Sequence, residues 1–175
     1  MYDLNYYENL LRIHSATAQD ISERRWKFLS EHIRDLRKVL DYGSGVGWFR
    51  AWAPPGVAVW SYDIGLYPQT GIDLIAYDVI CFWDVLEHIR DFKEIEPILR
   101  LADHVACTVP IVPEDGLRMW KHFKPGEHLH YFTQESLVAL FDKFGFSPVI
   151  EDDVECPPRK DVTTFLFANR WRHNA

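Results

Sequence analysis

Val39-Leu-Asp41-Tyr-Gly43-Ser-Gly45-Val-Gly47-Trp-Phe49 is the stretch that decides the fold. A short apolar run, Lys38-Val-Leu-Asp41, ends in an acid and leads into three glycines at alternate positions. That order predicts a buried strand, a tight turn and a helix start, the junction where an α/β sheet places its ligand crevice. Glycines let backbone approach a ligand closely, and a helix start offers N–H groups without internal partners. A glycine turn alone often does no more than pack a helix on a strand. Here Asp41 precedes the glycines, and Asp63 follows 22 residues later at the end of the next expected strand. A carboxylate at that second position can grip ribose hydroxyls. The spacing is G-x-G-x-G, unlike the G-x-G-x-x-G of pyrophosphate binders.

Outward from this turn, strands and helices alternate. On the N-terminal side, Asp20-Ile-Ser-Glu23 has capping-box spacing, and Trp26, Leu29, Ile33 and Leu36 recur at helical intervals after it. Residues 4–14 read as a shorter helix before that one. Trp48 to Ala53 gives about one and a half helical turns before Pro54-Pro55 stops them. Strands are expected at Val57–Tyr62, at Tyr77-Asp-Val-Ile-Cys-Phe-Trp83, whose continuous apolar character suits a buried parallel strand, and at His104–Pro110. Leu86 to Leu101 reads as a helix, with Ile89, Phe92, Ile95, Ile98 and Leu99 in register. Thr133 can cap a helix running through Leu137, Leu140 and Phe141 and closed by Gly145. Segments near Ser147–Val154 and Val162–Asn169 face each other as an antiparallel pair. The expected fold is a Rossmann-like, mostly parallel α/β sheet with an antiparallel C-terminal hairpin strand, in three αβα layers.

The 175 residues suit one domain, with N-terminal helices over 1–36 and an α/β core over 37–175. The longest nearly uncharged apolar stretch, Ala51 to Tyr62, is too short to cross a membrane and contains Pro54, Pro55 and Gly56. No basic start followed by an apolar run marks a secretory signal. Cys81, Cys107 and Cys156 are an odd, widely spaced set that matches neither a disulfide framework nor a zinc site. The chain therefore reads as soluble and cytoplasmic. Its net charge of −7 argues against nucleic acid as a partner, since phosphate binding draws on Lys and Arg. The imbalance is local: residues 41–115 carry 4 basic and 12 acidic groups, and Arg50 is the only basic residue from Asp41 to Ile89.

With these residues in view, Val39–Phe49 resembles the first motif of class I S-adenosylmethionine-dependent methyltransferases. Asp63 falls where that family places its ribose-binding acid. Tyr77 to Ile89 resembles the family's fourth strand and the helix after it, and Glu127-His-Leu-His-Tyr-Phe-Thr-Gln-Glu-Ser-Leu137 is similar to the entry of its last helix. The resemblance spans about residues 37–169. It implies S-adenosylmethionine as cofactor, with the turn of Gly43, Ser44, Gly45 and Gly47 under its methionine and ribose parts. Asp41 would orient toward the turn and the methionine amine, Asp63 would bind the ribose, Ile64 would cover the adenine, and Trp83 or Asp84 would stand near the methyl group. The cofactor is net cationic and carries no phosphate, which suits an acidic lining.

The family fits a helix, its third strand and a connection where this chain has only 15 residues, from Ile64 to Asp78. A helix of ordinary length needs about 11 residues by itself. Either the helix is lost or Gly71–Ala76 is a truncated third strand, with Asp73 the one candidate for the adenine contact.

For an oxygen or nitrogen acceptor, a base must remove a proton. His88, His128 and His130 are the candidates, the last two in a loop after Pro125-Gly126. Trp120, His122, Phe123, Tyr131 and Phe132 can stack on a small-molecule acceptor or serve the core. Asp84, Glu87 and His88 have the spacing of a divalent-metal set on one helix face, similar to the Glu-x-x-Glu-His of the ubiquinone-pathway O-methyltransferases. Leu-Glu-His is widespread in methyltransferases without metal, so no metal is expected. The expected function is methyl transfer from S-adenosylmethionine to an O or N atom of a small molecule or an exposed group of a larger one. The alternative is a non-catalytic, methyltransferase-like scaffold. A nicotinamide dehydrogenase is disfavoured by the glycine spacing.

Overall fold

The computed structural model describes residues 4–66 and 71–172. Six strands form one sheet: β1 (Lys38–Tyr42), β2 (Ala58–Tyr62), β3 (Tyr77–Trp83), β4 (Ala102–Val109), β5 (Phe146–Asp152) and β6 (Thr163–Asn169). Their order is β2-β1-β3-β4-β6-β5. The first four run parallel, and β6 lies antiparallel to both of its neighbours. The mostly parallel sheet with a closing antiparallel hairpin is the one the sequence predicts. The strand order reverses between β1 and β3, so the ligand crevice of such a sheet falls at their C-terminal ends. Asp41 pairs in register with Cys81 there, and Tyr42 with Phe82.

The alternation of side chains along the strands builds two cores, one on each face. Val39, Val79, Cys81, Trp83, Ala106 and Leu166 point toward α1 (Leu4–His32) and α2 (Trp48–Ala51), meeting Trp26, Phe28, Leu29, Ile33 and Phe49. Leu40, Ile80, Phe82, Val105, Cys107 and Phe165 face the other layer, packing with α3 (Glu96–Leu99) and α4 (Gln134–Lys143) through Ile98, Leu137 and Phe141. Trp26 stacks on Phe49 at 4.1 Å, and its indole N–H donates to the Phe49 carbonyl at 2.8 Å. This contact locks α1 onto the helix that follows the glycine turn. Leu29 has no exposed surface, so Leu29→Ala is expected to cost about 3 kcal/mol through lost burial and a residual cavity. Urea unfolding of the two proteins measures it.

The N-terminal reading changes: Leu4–His32 is one continuous helix rather than a short one followed by a capped one. No proline or glycine interrupts it. Asp20 sits in the helix interior, where its carboxylate accepts from Arg24 at 2.9 Å instead of capping. The helix expected over Leu86–Leu101 is also corrected. It is two 3₁₀ turns, Leu86–His88 and Phe92–Glu94, followed by α3. Ile89 is extended, Asp91 caps Lys93, and Pro97 lacks the N–H a helix interior would need. Leu86, Ile89, Ile95, Ile98 and Leu99 are nonetheless buried. Residues 71–76 form no strand, so the truncated third strand is absent and β2 ends the sheet. Residues 67–70 of that shortened segment lie outside the described residues. The capping of α4 is as expected: the Thr133 hydroxyl accepts from Ser136 N–H while the Ser136 hydroxyl accepts from Thr133 N–H. Gly145 closes the helix at φ 84°.

Candidate active site

The glycine turn is tied to the sheet by its backbone. Gly43 and Ser44 donate to the Tyr62 carbonyl at 2.7 and 3.0 Å, joining the end of β1 to the end of β2. Gly43 has φ 76°, and a Cβ there would lie 2.4 Å from a methyl of Val85, so glycine is required for both reasons. Gly45, at φ 53°, has open space where a Cβ would go, and its N–H donates to Asp63 Oδ2 at 2.8 Å. Gly47 lies at the entry to α2, its N–H donating to the Ser44 carbonyl at 3.0 Å. The Ser44 hydroxyl is buried and takes no hydrogen bond among the described residues.

Asp41 is 1% exposed, and its Oδ2 is likewise unpartnered. Burial pushes its carboxyl up to about 7, with Arg25 opposing the shift and Asp63 adding to it. A buried carboxyl with a spare oxygen is poised for a cation. Asp63, by contrast, is saturated. Its Oδ1 accepts from the Tyr7 hydroxyl at 2.7 Å and from the N–H groups of Gly65 and Leu66 at 2.9 and 3.1 Å. Ile64 beside it is 71% exposed, so packing in the core does not explain it.

Trp83 ends β3 with its indole N–H unpartnered among the described residues, Phe49 against its ring at 5.3 Å and the Arg25 guanidinium 4.7 Å above it. The next residue, Asp84, has φ 58° and turns its carboxylate into a pair of arginines. Arg159 donates to both oxygens at 2.6 and 2.7 Å, and Arg25 reaches one at 3.4 Å. The same arginines hold Glu155, which has no exposed surface, at 2.9 and 2.7 Å. Burial works against the charge of Asp84, but the Arg159 charge and hydrogen bonds, with Arg25 and His122 behind them, hold its carboxyl below the usual range. Asp84 therefore sits near the expected methyl position as an ionised, already paired group. The sequence reading missed this cluster because Arg25 registers there only as an off-face helix residue. Arg159 stands 75 positions from its partner.

The three candidate histidines divide. His130 sends Nε2 to the Ile89 carbonyl at 2.8 Å, and its ring packs on Phe92 and Phe132. Its Nε2 is therefore committed to that carbonyl, and the ring to its aromatic neighbours. His88 and His128 meet edge to face at 4.8 Å beside Glu87. His128 is 6% exposed, and burial, with His88 and Lys124 adding to it, lowers its imidazole below the ordinary value. Glu87 is 2% exposed; burial and then the Asp84 charge push its carboxyl up to about 8. His122, offered by the sequence only as a residue that stacks on an acceptor or serves the core, stacks near His128 at 6.2 Å and pairs through Nε2 with Asp161. Of the aromatic residues of that loop, Phe132 belongs to the core, while Phe123 is 41% exposed.

A sheet whose strand order switches between β1 and β3, with a glycine turn, an orphaned acid and a second acid 22 residues on at the strand ends, defines a class I methyltransferase fold. Comparison agrees with it. The sequence model of a methyltransferase domain family matches residues 13–151, and the chain belongs to that family. A search of curated proteins found no match. Among solved structures, the chain is similar to magnesium protoporphyrin IX methyltransferase ChlM from Synechocystis PCC 6803, solved with bound SAM. The two share 17% identity at a TM-score of 0.57, over 97% of this chain and 86% of that one. An S-adenosylmethionine-dependent methyltransferase from Clostridium acetobutylicum ATCC 824 aligns at 9% identity and TM-score 0.64, over 94% and 98% of the two chains. The 16S rRNA methylase ArmA aligns at 15% and 0.60, over 93% and 90%. At these identities the likeness is one of fold. Among the described residues no helix is long and apolar enough to cross a membrane.

Proposed function

We propose that the chain transfers the methyl group of S-adenosylmethionine to an oxygen or nitrogen atom of a small molecule or of an exposed group on a larger one. The observation that carries this reading is the unpartnered oxygen of Asp41, buried at the end of β1 beside the glycine turn. A lone buried carboxyl is costly unless a partner arrives, and the cofactor's ammonium group is a partner of the right charge. When bound, the cofactor supplies a methyl group on a sulfonium, which an aligned nucleophile attacks in line.

The chain's own residues then have distinct tasks. Asp41 and the buried Ser44 hydroxyl fit the methionine end, the glycine turn admits it, and Asp63 and Ile64 suit the ribose and adenine. For Asp63 this requires exchange of the Tyr7 hydroxyl for a ribose hydroxyl. Trp83 closes the floor of the crevice near the methyl group. Deprotonation of the acceptor falls to the cluster of Glu87, His88 and His128, where the neutral His128 can accept a proton. Asp84 cannot, because its arginines keep it ionised and occupied. The acidic lining disfavours a nucleic-acid acceptor, and three free cysteines suit a reducing, cytoplasmic setting.

A scaffold that no longer binds the cofactor is the second reading, favoured by the saturated Asp63 and the missing third strand. Calorimetric titration with S-adenosylmethionine separates the two. The wild type is expected to bind, and Gly45→Arg, which places a bulky cation in the open space at the turn, is expected to lose measurable heat. No heat with the wild type would establish the scaffold reading.

A further inference from the structure

Glu87, His88 and His128 are brought together by backbone bonds. The Glu87 carbonyl accepts from Leu129 N–H at 2.7 Å and from His130 N–H at 3.2 Å, pinning the loop that carries His128 over the turn that carries the other two. One ligand-capable atom from each residue lies within 4.8 Å of the other two. The His88 Nδ1 sits 3.0 Å from the Glu127 carbonyl. Its Nε2 lies 4.0 Å from Glu87 Oε1. Independently of that spacing, Glu87 Oε2 and His128 Nδ1 are buried and take no hydrogen bond among the described residues. A buried polar atom left without a partner is destabilising. Two of them in one cluster call for something that both can bind.

We propose that Glu87, His88 and His128 bind a divalent transition-metal cation such as Zn²⁺ or Co²⁺. Two imidazoles and one carboxylate are a nitrogen-rich set that suits such ions and not Mg²⁺ or Ca²⁺, which take oxygen. With metal–ligand bonds of about 2.0–2.1 Å, neighbouring ligand atoms sit about 3.3 Å apart, so separations of up to 4.8 Å need to shorten by at most about 1.5 Å. The carbonyl behind His88 is the kind of outer partner that fixes a ligating imidazole. The set differs from the one the sequence spacing offers. Asp84 is withdrawn into Arg159, and the third ligand comes from a loop 40 residues downstream. Three protein ligands leave coordination positions open. With a cation bound, His128 is a ligand rather than a base, so the two roles of the cluster are alternatives; that an acceptor oxygen takes an open position rests on the proposed function, while the binding of the cation does not.

The test is titration of chelator-treated, dialysed protein with ZnCl₂ by calorimetry and with CoCl₂ by visible absorption. One equivalent is expected to bind, with Co²⁺ bands of a low-coordinate site. Glu87→Gln, which keeps the shape of the side chain, and His128→Ala are each expected to weaken binding by more than about tenfold, a loss at least as large as outer-partner removal causes. His32→Ala, on α1, is expected to leave it unchanged, and circular dichroism of each variant reports its fold. No binding by the wild type, or undiminished binding in both cluster variants, overturns the proposal. S-adenosylmethionine titrated into the same metal-free protein tests the methyltransferase reading separately, so failure of one is distinguishable from failure of the other.

Discussion

Asp41→Asn is expected to raise the dissociation constant for S-adenosylmethionine by about a hundredfold, equivalent to about 2.7 kcal/mol. Removing one side of a buried charge pair costs about 2–5 kcal/mol, and an asparagine amide answers an ammonium group with a dipole in place of a charge. The same substitution is expected to stabilise the ligand-free protein at pH 8. The carboxyl of Asp41 rises from 3.8 to about 7 on folding, chiefly through burial. Between those values the folded protein holds a proton that the unfolded chain has released. Stability therefore falls as pH rises from about 4 to about 7, by up to about 4 kcal/mol at 1.36 kcal/mol for each pKa unit. Asparagine removes that loss but leaves a buried amide, so a net gain of about 2 kcal/mol at pH 8 is expected. Urea unfolding at pH 5 and pH 8 measures it, and calorimetry measures the affinity. A variant that binds as tightly as the wild type would remove Asp41 from the cofactor site.

Arg159→Ala is expected to lower stability by about 2–3 kcal/mol. It strips the bidentate partner from Asp84 and leaves Arg25 alone to hold both Asp84 and the fully buried Glu155. Breaking a buried pair by removing one partner costs about 3–5 kcal/mol. The remaining arginine and the partial exposure of Asp84, 32% for its side chain, reduce that here. For a protein of this size the fall in Tm is about 4–12 °C. Adding Asp84→Asn to the variant is expected to recover part of it, because the uncompensated charge is then gone. If the double variant is no more stable than Arg159→Ala, the loss arises from packing of the arginine stem and not from the charge.

The region around Asp41 was legible in the sequence because its signals are local. Acid, three glycines and the following aromatic pair lie within eleven residues, and each fixes backbone geometry where it stands. The strands were legible for a similar reason, since a run such as Tyr77–Trp83 is apolar on both faces only when the strand is covered on both sides. The helix expected over Leu86–Leu101 failed differently. Its apolar period was largely right, with Ile89, Ile95, Ile98 and Leu99 buried as expected and Phe92 half-buried, but periodicity reports a face and not the hydrogen bonds beneath it. The extended Ile89 and the capping Asp91 break those bonds. Asp20 shows the converse, a capping pattern without an end, because no breaker precedes it in α1.

The sequence alone determined a parallel sheet closed by an antiparallel hairpin, the position of the crevice and the acid at its base. These follow from short-range chemistry: alternation, turn residues and the conformational freedom of glycine. The tertiary structure decided which charged groups remain available. Asp84, Glu87, His88 and the downstream histidines are near-equivalent candidates along the chain. Folding gives Asp84 to Arg159, His130 to the Ile89 carbonyl and Asp63 to Tyr7. It leaves Asp41, Glu87 and His128 with unmet polar atoms. Pairing between side chains 40 to 130 positions apart depends on how loops meet over the sheet, and no local pattern encodes it.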